Sequence, residues 1–357
     1  MLTWFIERVF FAESPLVWFL GLVIITQIIY HYFFTQRMPS LGGSAVVMAL
    51  SVVAVYLLPL FNMPLWLMTL VSLELMIIWL YFSVNYMQIY AQDELALSTD
   101  RLNLGCWVAG TLATGLLLEE ADPLLYGCII MLALIGLVSL GMYFYLLWRP
   151  WRAASARFGR PVSGKVMLPS IASTLMILLI LELFHDDMPA CLEFILILGA
   201  AGLCLLGGLR LVWFWFKHRS LRLMLVWPNA NTLIYGALAT LGLSMIHAGL
   251  FDNGLVLSYW CMTLAVFLAI TALDGCRAYW RWQKQGLVRG FGRYHPSAWF
   301  RVYALTMVVV FTNEAWNLTP ITSSLMDFIS NDGSVIVILG VFLQLFLTVR
   351  ARVRWPR

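Results

Sequence analysis

The sequence predicts an all-α polytopic membrane protein with about eleven transmembrane helices. Apolar residues make up 62% of the 357 residues and charged residues only 11%, against roughly 25% charged residues in soluble domains. The apolar residues fall into runs that are long enough to cross a hydrocarbon core, which takes about 20 helical residues. The hydrophilic loops between these runs alternate between loops rich in Lys and Arg and loops that carry acids or no charge.

Eleven spans are predicted, with Gly, Pro and acidic turns between them. They cover residues 15–34, 41–60, 63–90, 102–118, 123–147, 166–184, 190–216, 230–247, 253–276, 297–317 and 333–350. The first run holds about twenty apolar residues and no small-residue cleavage site follows it, so it is predicted to be a retained helix rather than a secretory signal. Residues 1–40 therefore form an extra N-terminal helix, and residues 41–357 form a ten-helix core.

The alternating loop charge predicts the orientation. The loop 149–165 holds five basic residues, the next loop holds only Asp186 and Asp187, and this alternation continues to the arginines of the C-terminus. Loops rich in Lys and Arg stay in the cytoplasm, so every second loop is assigned inside. An odd number of spans then places the N-terminus outside and the C-terminus in the cytoplasm, in a multi-pass protein of the cell (inner) membrane. The net charge of +4 reflects this topology, and nucleic acid is not an expected partner.

The core spans differ in composition in strict alternation. The spans that start near 41, 102, 166, 230 and 297 carry Gly, Ala, Ser and Thr, whereas their partners are rich in bulky residues. Small and hydroxylated residues let helices approach closely or face an aqueous cavity. Tight packing is enough to explain the small residues of any single helix. The strict alternation of small and bulky spans over five pairs favours five helical hairpins around a central pathway. The predicted lining residues on three of these helices are Thr111, Thr114, Ser170, Ser173, Thr174, Thr232 and Gly236.

Five segments resemble the tellurite-resistance/dicarboxylate transporter family, which includes the slow-type anion channels of plant guard cells. They are VVMALSVVAVYLL (46–58), LGCWVAGTLATGLLL (104–118), GKVMLPSIASTLMILLI (164–180), WPNANTLIYGALATLGLSMI (227–246) and YHPSAWFRVYALTM (294–307), which are similar in order to its first, third, fifth, seventh and ninth helices. The resemblance covers the chain from about residue 41 to the end. It implies five hairpins around a central pore, usually in a homotrimer. It also implies transport of small anions: organic dicarboxylates, sulfite, tellurite-related anions, halide or nitrate.

In that family the ninth helix carries a Phe that occludes the pore, four residues after a Trp and usually before Pro or Gly. Aligned on Trp299 and Val302, the resemblance places Tyr303 at this gate, followed by Ala304. A Tyr can still occlude the pore, but its hydroxyl requires a hydrogen-bond partner. Without Pro or Gly the helix is expected to be straighter.

Glu314 is predicted to lie at the pore mouth. It follows Tyr303 by eleven residues, which at 3.6 residues per turn is almost the same helix face, about 16 Å further toward the outside. Thr306 and Val310 lie on the stripe between them and are predicted to line the pore. A carboxylate there repels anions unless it is protonated or paired. Two interpretations remain open: proton-linked transport, or a helix-end acid that faces solvent or a neighbouring group.

Five other charged residues fall in or beside predicted spans. Arg301 projects away from the Tyr303 face and is predicted to pack, pair or extend to the interface. Asp274 and Arg277 are spaced i, i+3 and are predicted to form a local pair. Arg210 is either an interfacial residue or another partner for Asp274. Glu74 is protonated, paired across helices or buried at a subunit interface.

No catalytic constellation is present in the sequence. The five histidines form no pair within one span at metal or haem spacing, and motifs such as HExxH and GxSxG are absent. The six scattered cysteines fit neither a disulfide framework nor a metal site. The chain is therefore predicted not to be an enzyme and to need no cofactor or metal, with small anions and the lipid bilayer as partners. The alternatives are a proton-coupled transporter of another class, such as a cation or drug exporter, and a non-transporting membrane scaffold.

Overall fold

The computed structural model describes residues 44–57, 59, 65–92, 94–121, 126–148, 163–184, 188–217, 228–291, 296–319 and 324–353. These residues contain no β-strand, and they form ten helices of 13 residues or more. The helices are α1 (Ala45–Leu57), α2 (Leu65–Gln92), α3 (Glu94–Ala121), α4 (Tyr126–Trp148), α5 (Leu168–Phe184), α6 (Ala190–Lys217), α7 (Leu233–His247), α8 (Asn253–Phe291), α9 (Trp299–Leu318) and α10 (Gly333–Val353). Each overlaps one of the ten spans predicted for the core. The predicted span 15–34 lies outside the described residues.

Short helical turns precede several of these helices. The 3₁₀ turns Gly164–Met167, Asn229–Thr232 and Pro296–Ala298 lead into α5, α7 and α9. A helical turn, Ser324–Asp327, and a π-helix, Phe328–Asp332, lead into α10. Helix α8 is 39 residues long and breaks at Gly286, whose φ of 70° is open to glycine at little cost.

The helices identify a membrane protein. Among the described residues, six helical segments are long and apolar enough to cross a membrane: Leu102–Glu119, Tyr126–Leu147, Gly164–Phe184, Ala190–Lys217, Asn253–Lys284 and Ser324–Thr348. The segments of α3 and α5 are 78% and 72% buried inside the protein, whereas those of α4, α6, α8 and α10 are only 22–33% buried. The exposed apolar surface of α4, α6, α8 and α10 is therefore suited to contact lipid.

The odd-numbered helices, called the inner helices below, form a closed ring. Each packs against two others in the order α1, α3, α5, α7, α9 and back to α1. The even-numbered helices, called the outer helices, pack on the outside of this ring, each against the inner helix that precedes it. Helices α2, α4, α6 and α8 also contact the inner helix that follows them. The chain thus repeats one hairpin five times around a common axis.

The inner helices run parallel to one another. At the start of α5 and α7, the Gly164 amide donates to Asn231 Oδ1 at 2.8 Å, and at their far ends Glu182 lies 3.5 Å from His247. In the other neighbouring pairs too, residues further along one helix contact residues further along the next. Gly110 lies against Met48 and Thr114 against Ser51 in α3 and α1, and Gly105 lies against Leu168 and Gly115 against Leu179 in α3 and α5. In α7 and α9, Gly236 lies against Ala304 and Gly242 against Phe311. All the inner-helix N-termini therefore lie at one face of the ring, which the loop charges predict to be cytoplasmic.

Candidate functional site

The predicted gate residue Tyr303 is buried between two inner helices. None of its surface is exposed, and its hydroxyl lies 2.8 Å from Thr240 Oγ1 on α7. The Thr240 hydroxyl already donates its hydrogen to the Gly236 carbonyl at 2.7 Å, so Tyr303 is the donor in the bond between the two side chains. Thr240 is thus the partner that a Tyr at this position requires, and the sequence alone did not single it out.

Gly236 lets α9 approach α7 at the level of this bond. A Cβ atom on Gly236 would lie 2.9 Å from the Ala304 Cβ and 3.4 Å from Cε1 of Tyr303. Tyr303 and Ala304 therefore sit directly against a position where any side chain would force the two helices apart. Tyr303 and Ala304 differ from the residues that the resemblance implies at these positions, and both lie against the same small residue, Gly236, on the neighbouring helix.

The predicted lining residues are closed off from solvent in this conformation. Ser173 is half-buried, and every other one is buried, with at most 5% exposure where a side chain is present: Thr111, Thr114, Ser170, Thr174, Thr232, Gly236, Thr306 and Val310. A water-filled path along these residues would expose them. The ring is therefore closed along these residues, and their role as pore lining stays a prediction.

Two of the predicted lining hydroxyls bond to outer helices. Thr111 accepts a hydrogen bond from Nε1 of Trp79 on α2 at 2.8 Å, and Ser170 donates to the Ala200 carbonyl of α6 at 3.0 Å. Thr114 lies 3.2 Å from the Ser51 hydroxyl of α1. These three hydroxyls join inner helices to their neighbours in the closed ring.

The remaining lining hydroxyls bond within their own helix or the turn that leads into it. The donors and acceptor carbonyls are Ser173 to Pro169, Thr174 to Ser170 and Ile171, Thr232 to Asn229, and Thr306 to Val302. A Ser or Thr bonded in this way leaves its oxygen lone pairs available as acceptors.

The indole–threonine bond of Trp79 recurs in another hairpin. Trp260 on α8 donates Nε1–H to Thr312 on α9 at 3.0 Å, as Trp79 on α2 does to Thr111 on α3. In both cases an outer helix is fixed to the inner helix that follows it. Neither bond was predicted, although a Trp in an outer span followed by a Thr in the next inner span is a signal present in the sequence.

The charged residues near the start of α9 pair differently from the prediction. Arg301 donates from Nη2 to Oδ2 of Asp274 on α8 at 2.7 Å, and Arg277 donates from Nη1 to the Asn229 side chain at 3.2 Å. The hydrogen-bonded partner of Asp274 is therefore Arg301 across the α8–α9 contact, while the predicted local partner Arg277 interacts with this carboxylate only at longer range. Arg210 is exposed on α6 and does not pair with Asp274.

The opposite ends of the inner helices carry acidic residues. Glu182 at the end of α5 lies 3.5 Å from Nδ1 of His247 at the end of α7. Glu314 is half-buried near the end of α9, beyond the buried residues Thr306 and Val310. Glu74 is half-buried in α2. Helix C-termini carry partial negative charge, so Glu182 and Glu314 add to an electronegative face.

No protein-family model matches the chain, and no curated protein matches it. Among the described residues, no group of three or more His, Cys, Asp or Glu side chains is arranged to hold a metal ion. The resemblance to the tellurite-resistance/dicarboxylate family accordingly stays a prediction from the five quoted segments.

Proposed function

We propose that the protein moves small anions across the membrane along the axis of the inner-helix ring, and that Tyr303 closes this path. The observation that carries the proposal is the ring itself: α1, α3, α5, α7 and α9 close on one another and run parallel, with outer helices packed around them. Five helices in a ring have a common axis that each of them can line. At many of their contacts one partner is Gly, Ala, Ser or Thr, so modest shifts of the helices can open the centre.

The electrostatics of the ring supports an anionic substrate. A helix N-terminus carries roughly half a positive charge, and the parallel inner helices bring their N-termini to one face. Arg277 and Arg301 lie at that face beside the turns that lead into α7 and α9. An anion is attracted there without a strong binding site that would slow its release, a balance that conduction requires.

The closed state is explained by the Tyr303–Thr240 bond. Opening requires the hydroxyl of Tyr303 to leave Thr240 and its ring to move off Gly236. The hydroxyls of Thr306 and Thr174 then serve as acceptors and, once free of their helix carbonyls, as donors to an anion. Organic dicarboxylate, sulfite, tellurite-related anions, halide and nitrate are all candidate substrates. The homotrimer rests on the resemblance, and the inner-membrane location with an external N-terminus rests on the charge pattern.

Reconstitution tests the proposal directly. Purified protein in liposomes should release preloaded nitrate or chloride faster than protein-free liposomes, and it should leave potassium retained. Each candidate anion should be tested with the unmodified chain and with Tyr303→Ala. If both folded proteins release every anion only at the rate of protein-free liposomes, the proposed function is wrong.

A proton-coupled transporter of another class is the second candidate. Glu314 favours it, because this half-buried carboxylate is on the same helical stripe as Tyr303. The same liposomes separate the candidates, since a cation exporter moves potassium or an organic cation and leaves the anion in place.

A further inference from the structure

Three cations form a stripe on the long outer helix α8 at the face predicted to be cytoplasmic. Arg277, Arg281 and Lys284, called the basic stripe below, are spaced i, i+4 and i+7. At about 100° per residue they fall within an arc of about 60° on the helix surface. Arg281 and Lys284 are exposed, and Arg277 is half-buried. The straight part of α8 ends just beyond them, at Gly286.

No carboxylate among the described residues is bonded to a cation of the basic stripe. Asp274 is the only acidic residue of α8, and its carboxylate is bonded to Arg301 of α9. Arg277 contacts the neutral Asn229 side chain, and Lys284 lies 5.6 Å from the centroid of the Trp280 ring. Like charges at i, i+4 on a helix destabilise it. Among the described residues, Asp274 therefore interacts with Arg277 only at longer range, and no carboxylate is bonded to Arg281 or Lys284.

The basic stripe lies at headgroup depth. About 20 residues of α8, counted from Leu255, cross the hydrocarbon and reach roughly residue 274. At about 1.5 Å per residue, Arg277 and Arg281 lie about 5 and 10 Å beyond it, and their long side chains can extend back toward the interface. Tyr279, Trp280 and Trp282 are 50–56% exposed on the same segment. Exposed Trp and Tyr side chains mark the membrane–water interface.

From this juxtaposition we infer that the basic stripe binds the phosphate of an anionic phospholipid in the leaflet at this face. The guanidinium and ammonium groups pair with the phosphate, and the exposed aromatic rings contact the glycerol and upper acyl chain. A soluble phosphate ion would satisfy the charges but leave the rings without an apolar neighbour. Lipid is thus the occupant that matches both features.

A second outer helix supplies a matched control. Lys217 at the end of α6 is exposed and lies 5.0 Å from the centroid of the Trp213 ring, which repeats the Lys284–Trp280 pair. Among the described residues of α6, the only other cation, Arg210, lies two turns away. Lys217→Gln therefore removes one interfacial charge without touching the stripe.

The test is binding of defined lipids to the full chain in neutral detergent, followed by native mass spectrometry and by thermal unfolding. Phosphatidylglycerol should be retained and should raise the unfolding midpoint above that in phosphatidylcholine. Arg281→Gln and Lys284→Gln should each weaken phosphatidylglycerol binding about fivefold, the change expected for one interfacial cation, and Lys217→Gln less than twofold. Equal midpoints in the two lipids, or equal losses in all three variants, would overturn the inference. An equal rise with sodium phosphate and no lipid would overturn it in favour of a soluble anion.

Discussion

The hydroxyl of Tyr303 donates to Thr240 across the α7–α9 contact, at a distance of 2.8 Å. This bond fixes a large side chain that lies against Gly236. A Phe at position 303 would fill the same space without this bond. In the proposed gate, a polar interaction therefore holds the closed state together with the size of the aromatic ring.

Tyr303→Ala should raise anion flux in liposomes at least severalfold, because it removes both the ring and its bond. Tyr303→Phe keeps the ring and should raise flux less, while it lowers the free energy of unfolding by about 1 kcal/mol through the lost hydrogen bond. Tyr259→Ala is the control: Tyr259 lies on outer helix α8 and its hydroxyl bonds the Leu238 carbonyl at 2.9 Å. Flux that rises equally in Tyr259→Ala and Tyr303→Ala would mean that general loosening, and not the gate, was measured.

Gly236→Ala should destabilise the protein by roughly 1–3 kcal/mol, the usual range for overpacking in a tight core. The added Cβ would lie 2.9 Å from the Ala304 Cβ, and thermal unfolding in detergent measures the loss. Adding Ala304→Gly should restore part of it, because the second change removes the clashing atom. Gly202→Ala, where an added Cβ meets nothing within 4 Å, should have no destabilising effect. A loss as large at Gly202 as at Gly236 would contradict the close-approach explanation.

The partner of Asp274 can be established by a double-mutant cycle. Asp274→Asn and Arg301→Gln should each lower the free energy of unfolding, and the two losses should not add, with a coupling of roughly 1 kcal/mol for this partly exposed pair. Asp274→Asn and Arg277→Gln should be closer to additive. Chemical or thermal unfolding of the three single and two double variants gives both couplings, and a larger coupling to Arg277 would restore the local pair that the sequence predicted.

The helices of the core could be predicted from the sequence because their signals are local. Apolar runs and breaking residues placed ten spans that overlap the ten helices. Two helices extend beyond the predicted spans: the apolar segment of α3 begins at Leu102, as predicted, but its helix begins at Glu94, and α8 continues from the predicted 276 to Phe291. Polar residues such as Gln, Glu, Lys and Arg are good helix formers, so a helix can continue beyond its apolar part.

The contacts of individual side chains could not be predicted, because they depend on which neighbour each helix face meets in the ring. Thr111 and Ser170 are small inner-helix residues, as predicted, yet their hydroxyls bond outer helices. Gly236 permits close packing against Ala304. Tight packing was the alternative explanation for the small residues of any single helix. Asp274 has a cation three residues away on its own helix, but Arg301 on the next inner helix reaches it. Sequence spacing predicts partners on one helix and carries no information about the neighbouring one.

Glu314→Gln decides whether the acid at the end of α9 has a part in transport. If this carboxylate carries protons, flux in the unmodified protein should change with external pH, and the change should be lost in Glu314→Gln because the amide cannot titrate. Glu193→Gln is the control, since this half-buried acid lies in the first turn of outer helix α6, away from the ring. Liposomes loaded with nitrate and diluted into buffers that span pH 5 to 8 give both profiles. If the Glu314→Gln profile matches that of the unmodified chain, the proton role is excluded and Glu314 is an interfacial acid at a helix end.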